Sequence, residues 1–195
     1  MLIYKGPLAL LAGAVMFAVM AISVKYAAAA LPAGEIVMFR FLMGLAVLQA
    51  LSGAGLIRVN HQRRSMLIAR GLTGALSISF YFASIKNTTL MKATLLSNAY
   101  PITTAVFGWL LLRERLSGPT LAAFAVALAG MWLVVDPQVG ALVAGDLYGV
   151  ASAVCAGLAI VTVRELRRTE SAYTVFWYLC VFGALMGALS CAGTF

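Results

Sequence analysis

The chain has 195 residues, of which 63% are hydrophobic and only 10% charged, whereas soluble domains are roughly one quarter charged. Its net charge of +8 could suit nucleic acid, but the basic residues gather at alternate ends of apolar runs, as in membrane proteins. One His and three Cys, the cysteines inside apolar runs, offer neither metal-ligand spacing nor a disulfide framework; Cys155, Cys180 and Cys191 read as small packing residues.

Crossing about 30 Å of hydrocarbon takes roughly 20 apolar residues, and seven runs qualify: 7–24, 34–51, 68–85, 93–112, 119–135, 147–163 and 173–192. Because they are apolar all round rather than alternating, a β-barrel is disfavoured. The expected fold class is all-α, a polytopic transmembrane helix bundle.

Span one follows Lys5 and leads into "AAAALPA". Its apolar stretch exceeds the roughly 7 to 15 residues of a secretory signal core, so it reads as a retained span. Span two opens with "LPAGEIVMFRF", which places Arg40 about two turns inside the helix. A charge at that depth is by default a functional candidate. Glu35 lies five positions earlier, roughly 140° around the helix, a poor place from which to pair with it. The following loop, "GLIRVNHQRRS", makes His61 a solvated loop residue among arginines.

Span three carries Arg70, Thr73, Ser77, Tyr81, Ser84 and Thr88 at intervals of three or four, which sets them on one stripe. The opposite face, with Leu72, Leu76 and Phe80, is free to meet lipid. Such a stripe borders either water or a polar neighbour, or else a seam in which small residues let helices approach. Tyr81 is bulky for a seam and becomes a candidate substrate contact.

Span four holds "KATLLSNAYPITTAVFGWLLLRERL". Pro101 takes the usual donor away from the Ser97 carbonyl, and an unsatisfied group in lipid costs several kcal/mol. The expectation is a bend at which Asn98 and Pro101 border a cavity; the alternative is that Pro101 only shapes packing. Trp177 and Tyr178 in span seven are weaker candidates, and Gly183 with Gly187 form a small-xxx-small packing pair. With no acidic residue mid-span, a carboxylate-coupled proton motor is not expected. An enzyme is not expected either, since a nucleophile and base, or a metal set, is missing at any common depth.

Lys5, Arg58, Arg63, Arg64, Arg70, Arg113, Arg115, Arg164, Arg167 and Arg168 fall on one side, against Lys25, Lys86 and Lys92 on the other. The basic side is cytoplasmic by the positive-inside rule, which puts the amino terminus inside. Sliding the chain by 139 positions lays "GPLALLAGAVMFAVMAISVK" on "GDLYGVASAVCAGLAIVTVR", with Gly6, Leu8, Ala12, Ala14, Val15 and Val24 meeting identical residues. Five crossings separate the copies, so the second enters from the opposite face, the plan of inverted-repeat transporters.

The run "RGLTGALSISFYFASIKNTT" through "KATLLSNAYPITTAVFGWLLLRERLS", together with "LPAGEIVMFRF", resembles the EamA-type module of the drug/metabolite transporter superfamily. Arg40, Tyr81, Pro101, and Glu114 with Leu116 and Ser117 match its pattern in order and approximate spacing. The resemblance implies an inverted five-helix repeat around a central cavity, with residues 1–136 as the first repeat and residues 145–195 as the first two helices of a second, incomplete one. It also implies a secondary transporter, without cofactor or metal, moving a small organic metabolite such as an amino acid, nucleotide-like or drug-like solute across the inner membrane by alternating access. Arg40, Tyr81, Asn98, Pro101, Trp177 and Tyr178 are the expected substrate contacts. The expected partners are that solute and the lipid bilayer, not nucleic acid. An alternative reading is a non-transporting membrane fragment or assembly partner that works only in an oligomer, a homo-oligomer among them.

Overall fold

A computed structural model describes residues 5–57, 62–113, 117–135 and 143–192. Arg58, His61, Glu114, Arg115 and Leu116 lie outside the described residues. The described chain forms eight helices: α1 (Lys5–Ala27), α2 (Ala33–Gly53), α3 (Arg64–Asn87), α4 (Leu90–Ser97), α5 (Tyr100–Leu112), α6 (Gly118–Val135), α7 (Ala144–Leu166) and α8 (Ala172–Ala192). Five, namely α1, α2, α3, α7 and α8, contain stretches long and apolar enough to cross a membrane singly. Leu10, Val126 and Leu133 stay more than 70% exposed, an arrangement unfavourable in water and suited to acyl chains. The protein is a polytopic membrane helix bundle.

Span four is two helices. Pro101 sits in the first turn of α5, where its missing N–H would have had no helical acceptor anyway. The chain passes from α4 to α5 in a tight turn: Asn98 donates its N–H to the Thr94 carbonyl at 2.9 Å and Ala99 to Leu96 at 3.1 Å. The expected bend is therefore a restart of the helix. Thr89 begins α4, its hydroxyl accepting from the Lys92 N–H at 3.3 Å, as an N-cap does.

At the centre, α3 packs most heavily on α7 and α8, and α2 on α8. Lipid tails are as apolar as leucine, so helices in a bilayer associate through close packing and hydrogen bonds instead of hydrophobic burial. Both occur here. Added Cβ atoms would meet Ser190 Cβ at 2.7 Å from Gly34, Met38 N at 2.6 Å from Gly187 and Cys180 Sγ at 2.8 Å from Gly44, while Gly183 receives the Phe41 ring. These pairs step down α2 as they step up α8, so the two helices run antiparallel. Phe41 and Phe82, both almost wholly enclosed, fill the space between α1, α2, α3 and α8 together with Val37, Ile85 and Leu179. A second cluster of Leu67, Leu166 and Val175 closes the basic end of the bundle, where α3 and α8 start and α7 ends.

The bounds of α7 fall 139 positions after those of α1 at both ends, and the bounds of α8 fall 139 positions after those of α2.

Candidate functional site

The polar stripe of α3 lies against α7. Ser77 Oγ donates to the Ser152 carbonyl at 3.0 Å, and Ser152 Oγ returns a bond to the Ser77 carbonyl at 2.9 Å. Ser84 Oγ donates to the Gly145 carbonyl at 2.7 Å and Thr88 Oγ1 to Asp146 Oδ1 at 3.1 Å. Thr73 bonds back to the Ala69 carbonyl of its own helix. Of the two readings of this stripe, Ser77 and Ser84 follow the packing seam: both are buried, and their hydroxyls are spent on α7.

Arg40 and Tyr81 form a different group. The Arg40 guanidinium carbon sits 5.6 Å from the Phe82 ring centre and 5.8 Å from that of Phe41, within cation–π range, with Nη1 against the Met20 sulfur. Among the described residues no ion pair joins it to Glu35. Tyr81 packs in the same core as Phe41 and Phe82 and is 4% exposed. The Tyr81 ring stacks on Phe17 at 5.8 Å, and its hydroxyl shares a 3.1 Å hydrogen bond with Thr94 of α4.

Asn98 and Pro101 open elsewhere. Both are exposed and line a cavity of about 520 Å3 between α4, α5 and α6, with Leu95, Ile102, Phe124 and Ala127. Its wall is apolar apart from Asn98, while Ser97 and Thr103, on the other side of the same segment, bond to Ser152 and the Ala153 carbonyl of α7. Trp177 packs against the core that holds Phe41 and Phe82 and Tyr178 against the cluster at the basic end, their rings meeting edge to face at 5.2 Å. Thus Arg40, Tyr81 and Trp177 share one core, Asn98 and Pro101 share one groove, and Tyr178 belongs to the basic end.

A cavity of about 460 Å3 at the opposite end went unread in the sequence. Lys86, Asn87, Tyr148, Ser79 and Ser190 line it, between the ends of α2, α3, α7 and α8. The Ser79 hydroxyl is buried without a partner among the described residues. Its signal was present but weak, because Ser79 falls off the stripe by two positions and Tyr148 lies in another span.

Residues 4–136 match the EamA-like transporter family. The chain belongs to that family. The pseudopaline exporter CntI of Pseudomonas aeruginosa is 30% identical over 186 residues, covering 95% of this chain and 66% of the exporter. An uncharacterized transporter of Helicobacter pylori is 30% identical over 130 residues, 66% of this chain and 43% of its own. Human solute carrier family 35 member G1 is 27% identical over 135 residues, 62% of this chain and 37% of its own. This EamA chain therefore spans less than two thirds of the length of these relatives. No solved structure matches it.

Proposed function

We propose that this EamA-family chain serves a secondary transporter that moves a small organic metabolite across the inner membrane by alternating access, with its amino terminus in the cytoplasm. Family membership carries the proposal. Among the relatives one is named an exporter and another a solute carrier, which supports a small-molecule cargo. The equal spacing of α1 and α2 from α7 and α8 supports residues 145–195 as the beginning of a second, inverted repeat after residues 1–136. A two-fold axis demands a self-complementary interface, and the antiparallel packing of α2 on α8 has that form.

In this proposal Arg40, Tyr81, Asn98, Pro101, Trp177 and Tyr178 contact the solute at successive stages. The rings of Phe41 and Phe82 engage the face of the Arg40 guanidinium, which leaves its in-plane donors suited to a carboxylate. Tyr81 and Thr94 tie α3 to α4 just before the helix restarts. Moving that junction changes which side of the Asn98 groove is open.

The test is counterflow in proteoliposomes holding the chain, with labelled amino acids, nucleotides and cationic drugs in turn. Flux above empty liposomes that falls at least tenfold in Arg40→Ala or Tyr81→Ala, about 1.4 kcal/mol, is the expected result. Unchanged flux in Arg40→Ala, Tyr81→Ala and Asn98→Ala would remove the site assignment.

A further inference from the structure

Arg70 stands six residues inside α3 from its basic end, a depth of about 9 Å. An arginine near the start of a membrane helix ordinarily snorkels back to the interface, the direction in which its Cα–Cβ bond already points. Arg70 does the reverse. Its Nη1 lies against Gly74, one turn deeper, where only a missing side chain leaves room for it.

Nε and Nη1 of this guanidinium are buried and have no hydrogen-bond partner among the described residues. Two cavities meet at the head. One of about 120 Å3 is lined by Ser77, Ala156 and Ile160; the other, about 210 Å3, by Val163, Arg167 and Phe176. Among the described residues no carboxylate lines either one. The acids of the adjoining turn face elsewhere: Glu165 lies 3.7 Å from Arg168, and Glu170 accepts from the Arg63 N–H at 2.8 Å through Oε1. Glu170 Oε2 is buried without a partner, but no ion pair joins it to Arg70 among the described residues.

A guanidinium stays protonated at any physiological pH, and a buried charge whose donors are unmet is strongly destabilising. A second cation at the mouth and mostly apolar walls favour an acceptor that brings negative charge over water, which would leave the charge uncompensated. We propose that the notch between α3, α7 and α8 is an oxyanion site, taking a carboxylate or phosphate group on the N–H donors of Arg70 with Arg167 at its entrance. The group comes from a free anionic solute or from a phospholipid headgroup, which present the same chemistry.

The test uses the whole chain in maltoside detergent. In the first arm, inorganic phosphate is titrated against sodium chloride of equal ionic strength and thermal unfolding is followed. A saturable rise in Tm is expected for the wild type, with phosphate affinity reduced roughly tenfold or more in Arg70→Met. Gly74→Ala keeps the charge but unseats the guanidinium; its other close neighbour, Leu179 Cδ1 at 2.7 Å, can turn aside. It should weaken phosphate binding similarly, and Arg70→Lys should retain part of it. In the second arm, native mass spectrometry counts phosphatidylglycerol retained by each variant. Loss of a retained lipid in Arg70→Met and Gly74→Ala assigns the site to a headgroup, whereas a phosphate response without a lipid difference assigns it to a free anion. Wild-type behaviour of Gly74→Ala and Arg70→Lys in both arms would overturn the proposal, even if Arg70→Met failed to fold. Neither arm measures transport, so this site and the transporter reading fail independently.

Discussion

Lys25, in the last turn of α1, donates from its ammonium to the carbonyl oxygen of Ile85 at 2.6 Å and to that of Thr88 at 2.8 Å. The last carbonyls of a helix lack intrahelical partners and carry the negative end of its dipole, so a cation from another helix satisfies both needs. At the other end of α3, Glu170 accepts from the N–H of Arg63, the residue preceding the helix. The central helix is thus pinned by a cation at its C-terminus and an anion at its N-terminus, each supplied by a different part of the chain.

Replacing Lys25 with Met should lower stability by about 1.5–3 kcal/mol, the range for hydrogen bonds that involve a charged group. Lys25→Arg, which keeps the charge and donors, should lose less. Thermal unfolding in detergent measures both; a Lys25→Met protein as stable as the wild type would show that the α3 carbonyls find water equally well.

The reciprocal Ser77 and Ser152 bonds should each stabilise the seam between α3 and α7. Each hydroxyl donates to the other residue's backbone carbonyl, which a change to Ala leaves in place, so the two losses should be close to additive. Each should cost about 0.6–1.7 kcal/mol, the scale of hydrogen bonds between membrane helices, read by thermal unfolding of Ser77→Ala, Ser152→Ala and the double variant in detergent. No loss in either single variant would mean the hydroxyls serve only as small spacers.

How much of this was legible beforehand depends on where a residue's partner comes from. Composition and run length give the helices, because they depend only on lipid thickness. Pro101 marks a discontinuity in span four, but one proline serves equally for a kink or for the first turn of a new helix; the Asn98 and Ala99 turn decides for the second. The stripe on α3 is visible as period, while its neighbour, α7, is not, since periodicity names a face and never what covers it. Lys25 and Glu170 were unreadable as ties because their partners are backbone groups, which every residue but proline offers alike. Arg70 was placed on the right stripe, yet its inward turn depends on Gly74.

Arg113 closes α5 in the left-handed conformation, φ 56° and ψ 29°, which disfavours any residue with a Cβ and is where glycine is ordinarily found. Arg113→Gly should therefore raise stability by roughly 0.5–1 kcal/mol, seen as a higher unfolding temperature. A loss of stability would show that the arginine side chain contributes more than the strained backbone costs.

In the proposed transporter, the restart of the helix at Asn98 and Pro101 borders a water-filled route for solute. Its most direct measurement is the reactivity of a single cysteine. With Cys155, Cys180 and Cys191 replaced by Ala, Asn98→Cys in proteoliposomes should react with a charged, water-soluble methanethiosulfonate, while Leu10→Cys, on a highly exposed apolar face, should not. An Asn98 cysteine as inert as the Leu10 control would place that groove in acyl chains and contradict the claim.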